Sequence, residues 1–524
     1  MGTTEKSRLE ETYPRCRAAL GAAWERAAEA CAERGPEDFP ALLEELAGPL
    51  GAGGFLPDLA RLELAAAEAG GGDIPPGVEE REVNPTLRVL GLGWKGLAAL
   101  WEGGGEPPSR GQETVLVFRH PKTGEVEVRA ARPEDLIALK MVVEGISPGQ
   151  AAAEAGLRPA ALEGVLGAGA EGGVILAPRT RIRRDPDFPA GEGIDERFFE
   201  AGVFTLQWHV TQACDLHCKH CYDRSDRGHL PFERALGVLE DFRGFLDERR
   251  VRGQVSFSGG NPLLYPRFAE LYRAASDLGL DTAIVGNPCP RERVEELMEI
   301  QAPAFYQVSL EGLEEHDDAI RGAGHFGRTM GFLEDLRDLG VYSMVMLTLT
   351  RDNMGQVLPL AEALRGRVDR FTFNRLALVG EGANLALPEK EDFALFLEQY
   401  MEAAGRNPAM GLKDNLFNIL LRRRGQGPSG GCTGFGCGAA FNFMAVLPDG
   451  EVHACRKFPS PIGNVFRQGL AHIYDSEAAR RYRSGARACR RCPIRPVCGG
   501  CLSVIHSFGL DVGEDRDPFC FMEG

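Results

Sequence analysis

The stretch HVTQACDLHCKHCYDRS, residues 209–225, decides how the chain is read. Its first residues close a β-rich run, FTLQWHVT (204–211), with the composition of a strand. Cys214, Cys218 and Cys221 follow at once in the spacing Cys-x3-Cys-x2-Cys. Three thiolates on one loop suit three corners of an iron–sulfur cube. Because four cysteines are the usual complement of a 4Fe–4S cluster, a three-cysteine loop leaves one iron open to an outside ligand. The alternative is a zinc loop completed by His217 or His220, although the x3 spacing is unusual for zinc.

Outward from this loop, residues 203–375 repeat one unit, a β-rich run followed by an amphipathic helix. The later strands are QVSFS (254–258), LDTAIVG (280–286), FYQVSL (305–310), VYSMVMLTL (341–349) and RFTFNRL (370–376). Helical patterns beginning near Phe232, Tyr265, Pro290, Phe326, Asn353 and Pro388 separate or follow them. Six β/α units in order predict an α/β fold with a parallel sheet and outer helices. Six are too few for a closed eight-stranded barrel, so an open, partial (β/α)6 barrel is expected, its active site at the C-terminal strand ends.

After about Gly425 the pattern becomes short and rich in Gly and Cys, which calls for a staple other than a hydrophobic core. The cysteines run Cys432, Cys437 and Cys455, then Cys489, Cys492, Cys498 and Cys501, then Cys520. Their CxxC pairs also suit zinc ribbons. Between Cys437 and Cys455, FNFMAVLPDGEVHAC reads as a hairpin turning at Gly450.

Upstream, the chain to about residue 75 reads as Ala-, Glu- and Leu-rich helices broken at Gly35-Pro36 and at the glycines around Gly51 to Gly54. TVLVFRH and EVEVRAA flank the turn Pro121-Lys122-Thr123-Gly124, a hairpin signal. Helical patterns near Pro133, Ser147 and Pro159 and an apolar strand, GGVILAP, complete the parts of a winged-helix module. The expected domains are 1–110, helical; 111–178, winged-helix-like; 179–200, a basic, proline-containing linker; 201–386, the barrel; 387–424, bridging helices; and 425–524, the Cys-rich domain.

The 524 residues carry 59 Lys+Arg against 76 Asp+Glu, a net charge of −17, with 44% hydrophobic residues and 14 cysteines. That is a multi-domain globular composition, and it excludes disorder and collagen-like structure. No uncharged apolar run approaches the roughly 18 residues of a membrane span, and MGTTEKSRLEETYPRC lacks the apolar core of a signal peptide. The expectation is a cytoplasmic protein whose thiols ligate metal rather than form disulfides. The acidic balance argues against nucleic-acid and anionic-membrane partners.

The loop and barrel, over roughly residues 203–385, resemble the radical SAM superfamily. The resemblance implies that Cys214, Cys218 and Cys221 hold a 4Fe–4S cluster whose open iron chelates S-adenosylmethionine (SAM), and that reductive cleavage yields a 5′-deoxyadenosyl radical. His220 stands where relatives place an aromatic residue near the adenosine. Gly259-Gly260-Asn261-Pro262 resembles the Gly-Gly-Glu-Pro motif that binds the methionine ammonium, with Asn261 keeping an acceptor but losing the charge. Ser309 occupies a position that often touches the ribose. Arg321 matches an Arg-Gly whose family role is either a SAM contact or barrel packing. Asn287 is read as a structural turn residue.

The C-terminal cysteines look like the SPASM extension of peptide and protein maturases. By order, the resemblance implies one auxiliary 4Fe–4S cluster on Cys432, Cys437, Cys455 and Cys501, and a second on Cys489, Cys492, Cys498 and Cys520. The two-residue gap between Cys498 and Cys501 departs from the usual three. Of the remaining cysteines, Cys16 and Cys31 are read as buried small hydrophobes, and Cys289 lies on the rim where substrate should sit.

The implied function is oxidative modification of a ribosomally synthesised precursor peptide, as a thioether, crosslink or dehydrogenation. The leader would bind the winged-helix module, and flavodoxin or ferredoxin would donate low-potential electrons. The long N-terminal extension resembles the thio(seleno)oxazole, or selenobiotic, peptide maturases. Arg456 follows Cys455 where sulfatase-maturing relatives carry an Asp base, which weighs against formylglycine formation. The alternatives are modification of a folded protein or small metabolite, and an iron–sulfur winged-helix redox regulator. For the regulator, the third helix is a poor DNA reader, with only Arg158 beside Glu163.

Overall fold

Apolar helix faces at the start of the chain and two-residue alternation after it build the first of two units. The computed structural model describes residues 3–31, 34–50, 53–104 and 106–523. Gly51, in the predicted break at 51–54, lies outside the described residues, as do the outer ends of the first and last expected domains. The chain divides into one unit of residues 1–157 and 161–179 and a second holding the rest.

In the first unit, helices Thr3–Thr12, Pro14–Leu20, Trp24–Cys31, Phe39–Leu50 and Leu56–Gly71 bury Tyr13, Trp24, Phe39 and Leu62. Cys16 and Cys31 are buried in that core. The five strands are β1 (Glu82–Val83), β2 (Arg88–Lys95), β3 (Ser109–Arg119), β4 (Val126–Ala130) and β5 (Ile175–Leu176). β3 and β4 form the predicted hairpin, and helices Pro133–Glu144, Pro148–Ala155 and Pro159–Glu171 each open on a proline. Two expectations are corrected. The stretch 1–110 is not wholly helical: β2 joins β3, making a sheet of order β2-β3-β4 that crosses residue 110. Its strand signal was diluted by Gly91 and Gly93, which weaken strand propensity. The closing strand, β5, pairs with β1 rather than with the hairpin.

In the second unit β6 (Val203–Thr211), β7 (Arg252–Gly259), β8 (Asp281–Val285), β9 (Tyr306–Ser309), β10 (Ser343–Leu349) and β11 (Arg370–Arg375) pair in parallel, in chain order. Outer helices such as Phe232–Arg249 and Phe268–Asp277 intervene. Buried Trp208, Phe257, Tyr306 and Val345 show why these strands read as apolar runs, since a parallel sheet is covered on both faces. The Cys-rich region continues this sheet. β12 (Phe443–Val446) pairs in parallel with β6, from Phe443 opposite Thr205 to Val446 opposite Trp208. It then turns through Gly450 (φ +80°) into antiparallel β13 (Glu451–His453) and β14 (Pro461–Asn464). The nine strands run β11-β10-β9-β8-β7-β6-β12-β13-β14.

Residues 180–200, expected as a free linker, belong to this unit and pack against it. Ile182 is fully buried, and Arg184 donates to the carbonyls of Arg483, Phe435 and Cys437. Basic composition suggested solvation, but carbonyls and the Phe441 ring, 3.8 Å from the guanidinium carbon, absorb the charge.

Candidate active site

Where β6 ends, the chain turns under close backbone control. Gly260 N–H donates to Thr211 O at 2.9 Å, and Asn261 N–H to Ala213 O at 2.7 Å. A Cβ on Gly259 would stand 2.1 Å from Thr211 O, and one on Gly260 2.2 Å from Ala213 O. Only glycine permits this approach. The loop is pinned again farther on, by Lys219 N–H to Ile320 O and Glu381 N–H to Cys221 O. Cys214 is exposed, and Cys218 and Cys221 are half-buried, at the C-terminal ends of the barrel strands.

One ion-pair network braces this loop. Arg321 pairs with buried Glu311 at 2.6 Å, approaches Cys218 Sγ to 3.7 Å and His220 Nε2 to 3.3 Å. The other Glu311 oxygen accepts from Thr348 N–H at 2.8 Å. Burial raises the Cys218 thiol, and the Arg321 charge opposes that shift. Burial likewise lowers His220. Of the two roles open to Arg321, its contacts here are with protein groups. Tyr222 hydrogen-bonds His209 Nε2 at 3.2 Å, and burial pushes His209 down to about 3, so it is neutral.

The Gly-Gly-Asn-Pro segment differs from expectation. Asn261 Oδ1 is engaged in capping Leu263 N–H at 3.3 Å, and Asn261 Nδ2 donates to Asp215 at 3.0 Å. Pro262 is buried and opens a short turn. Asn287, read as a structural residue, also donates to Asp215 at 2.6 Å and lies 3.6 Å from Cys214 Sγ. Ser309 ends β9, half-buried. Cys289 meets Tyr306 Oη at 3.8 Å, and burial pushes its thiol up to about 11. The sequence reading passed over Asp215 and Glu311; the available signals were an acid directly after the first cysteine and the Glu in QVSLEG.

The eight C-terminal cysteines fall into two neighbourhoods. Burial pushes the Cys437 thiol up to about 12, with Cys432, Cys501 and Cys455 close enough to raise it further. Burial pushes Cys455 up to about 11, and Cys501 and Cys432 add to it. Cys489, Cys492, Cys498 and Cys520 line one cavity together with Arg495 and Asp517. Cys437 N–H donates to Cys498 O at 3.0 Å, which ties the two neighbourhoods together. Arg456 donates to Ser258 Oγ at 2.8 Å.

The donor chemistry fits iron–sulfur ligation. Buried thiols that stay protonated alone become good ligands when a cationic metal displaces the proton.

A thiol triad at the mouth of an open parallel barrel, with two further cysteine groups in the segments before and after the strands that extend it, defines an iron–sulfur barrel enzyme. Residues 208–364 match the radical SAM superfamily, and residues 437–493 the SPASM iron–sulfur cluster-binding domain: the chain carries a radical SAM domain followed by a SPASM domain. It accordingly binds 4Fe–4S clusters and SAM.

The mycofactocin maturase MftC of Mycobacterium ulcerans is 28% identical over 62% of this chain and 89% of its own length. The subtilosin biosynthesis protein AlbA of Bacillus subtilis is 25% identical over 56% of this chain and 65% of its own. The AdoMet-dependent heme synthase of Methanosarcina barkeri is 26% identical over 60% and 95%. The crystal structure of Streptococcus suis SuiB shares the fold, with a TM-score of 0.50 and 16% identity over 78% of this chain and 97% of that one. No helix among the described residues is long and apolar enough to cross a membrane.

Proposed function

We propose that this chain is a maturase that oxidatively modifies a ribosomally synthesised precursor peptide. In this reading Cys214, Cys218 and Cys221 hold the SAM-binding cluster. Cys432, Cys437, Cys455 and Cys501 hold one auxiliary cluster, and Cys489, Cys492, Cys498 and Cys520 the other. The observation that carries the proposal is the gathering of the eleven cysteines into one loop at the barrel mouth and two neighbourhoods in the C-terminal segments around the strands that extend the same sheet. The maturase and bacteriocin-biosynthesis names of two relatives support a peptide substrate.

A 4Fe–4S cluster held by Cys214, Cys218 and Cys221 together with SAM would supply radical hydrogen-abstraction chemistry at the barrel mouth, and clusters held by the C-terminal cysteines would supply a place for the electron that oxidation of the peptide releases. The protein's own work is positioning and exclusion of water. Gly259 and Gly260 let β7 approach the cysteine loop, and the Arg321–Glu311 pair fixes Cys218 and His220. Arg456, a cation bonded to Ser258, is no general base, which disfavours a formylglycine-forming reaction. Flavodoxin or ferredoxin is the proposed electron donor, and the cytoplasm the proposed compartment.

Residues 111–178 are proposed to bind the leader. β4 pairs only with β3 among the described residues, leaving an edge to which an extended peptide can add. Helix Pro133–Glu144 exposes Leu136, Ile137 and Val143, apolar surface suited to leader side chains. The heme synthase relative supports a second reading, a small-metabolite substrate.

Intact masses of the short peptides encoded beside this gene, after anaerobic co-expression with the enzyme and with Cys214→Ala, test the proposal. Loss of two hydrogens, or a multiple, only with intact enzyme is expected. Unchanged mass with SAM still cleaved, or full substrate turnover after deletion of residues 1–178, refutes it in favour of another substrate.

A further inference from the structure

At the barrel mouth two buried amides are turned onto one exposed carboxylate. Asn261, just after β7, and Asn287, just after β8, are 4% and 9% exposed. Both donate from Nδ2 to the same oxygen of Asp215, at 3.0 and 2.6 Å. Neither amide is loose. Asn261 Oδ1 caps Leu263 N–H, and the main chain of Asn287 is tied down by Tyr306 Oη, which donates to its backbone carbonyl at 2.8 Å. Asp215 is itself exposed, and among the described residues its Oδ2 has no hydrogen-bond partner and no cation pairs with it. An exposed carboxylate normally keeps its rotamer freedom and its water. Here two strand ends hold it in one orientation with an oxygen to spare.

Its surroundings say what that oxygen meets. Asp215 directly follows Cys214, and the Asn287 amide that holds it also lies 3.6 Å from Cys214 Sγ. SAM brings two positive charges to this loop, an α-ammonium and a sulfonium. Of the acids in contact with the loop, Glu311 is consumed by Arg321 and Thr348 N–H, and Glu381 faces the loop's own Arg224 at 4.0 Å. Asp223 is consumed by Gln212 and Ser225. Asn261 carries no charge, and its Oδ1 is already turned to Leu263 N–H. Asp215 is left as the anion with a free oxygen. An ammonium has N–H donors for that oxygen, whereas a sulfonium has none.

We propose that Asp215 binds the α-ammonium of SAM and supplies the charge that Asn261 lacks, with Asn261 and Asn287 as its positioning residues. The inference rests on the SAM-binding role proposed for this loop, and it assigns the ammonium contact to the loop itself rather than to the end of β7.

SAM affinity of the anaerobically reconstituted enzyme, measured by equilibrium dialysis and expressed per cluster-loaded protein from the iron count, tests it. Asp215→Asn keeps the shape and, at Oδ1, the acceptor for both amides, and replaces the charged free oxygen by a neutral amide nitrogen. It should weaken SAM binding by about 10- to 100-fold, the range for a lost charge-assisted hydrogen bond. S-adenosylhomocysteine, which keeps the ammonium but has no sulfonium, should lose the same factor. The double variant Asp215→Asn/Asn261→Asp, which returns the charge one hydrogen bond away, should recover most of the affinity. Unchanged SAM affinity in Asp215→Asn, a loss confined to SAM, or a double variant no better than the single one would overturn the proposal. A wild-type enzyme that carries its clusters and binds no SAM would instead overturn the SAM-binding role of the loop.

Discussion

Replacing Arg375 with Met strands two buried carboxylates. The Arg375 side chain is fully buried at the end of β11, where Nε donates to Asp414 at 2.8 Å and the two terminal nitrogens to Asp517 at 2.9 and 2.6 Å. Burial works against its charge, and Asp414 and Asp517 more than offset this, holding it well above the usual arginine range. The acids do further work: Asp517 accepts from Cys501 N–H at 2.8 Å, and Asp414 from Leu416 N–H at 2.9 Å. Removing one member of a buried ionic group costs about 3–5 kcal/mol, because the remaining charges are left unpaired in low dielectric. For a unit of about 345 residues, with roughly 2.1 cal/mol/K of unfolding entropy per residue, that lowers the melting midpoint by about 4–7 °C. Anaerobic scanning calorimetry of the reconstituted protein reads this directly. The triple variant Arg375→Met/Asp414→Asn/Asp517→Asn, which neutralises the whole group, should lose less than the single one. A drop below about 1 °C for Arg375→Met, or a triple variant worse than the single, would refute the reasoning.

Other outcomes follow from the same geometry. Gly260→Ala places a Cβ 2.2 Å from Ala213 O, so iron counting should show the loss of one cluster's share while the C-terminal share remains. Cys214→Ala/Cys218→Ala/Cys221→Ala should abolish SAM cleavage, read as 5′-deoxyadenosine by chromatography; retained cleavage would sink the site assignment. Glu311→Gln leaves buried Arg321 without its counter-charge, and slower cluster assembly, followed by visible absorbance, is expected. Burial would raise Asp135, but Arg129, Arg132 and the Arg132 N–H hold it well below the usual carboxylate range. Its stabilisation is therefore present above the unfolded aspartate value of about 4 and fades as pH falls below it. The stability gap between wild type and Asp135→Asn, from urea titrations followed by circular dichroism, should narrow from pH 6 to pH 3.

The barrel was legible because a parallel strand covered on both faces leaves an unbroken apolar run, and each such run here became a strand. The cysteine spacing marked the three groups, while the ligand sets came from the resemblance to the radical SAM and SPASM families and stand as a proposal. Less legible were features whose signal is a contact. RVLGLGWK became a strand although two glycines thin its pattern, because β3 offered it an edge. Residues 180–200 look like a solvated tether until Arg184 is seen to spend its guanidinium on three carbonyls. Asn261 appeared to be a spare acceptor, but the loop around it had already assigned both ends of its amide. In each of these cases composition described the segment, and a partner distant in sequence determined its state.

The pairing of β12 with β6 has a consequence for electron flow. The two halves that carry the cysteines are joined by a main-chain ladder whose register, Phe443 to Thr205 through Val446 to Trp208, sets where Cys455 stands relative to Cys214. A slip of one residue would turn every side chain of β12 to the other face of the sheet. For the clusters proposed on these cysteines, the spacing across β6 and β12 would then be held by main-chain hydrogen bonds and not by a hinge. Transfer between the proposed clusters should be insensitive to solvent viscosity, and a spacer inserted in the turn between Val446 and Glu451, which leaves the ladder intact but lies between it and Cys455, should slow it.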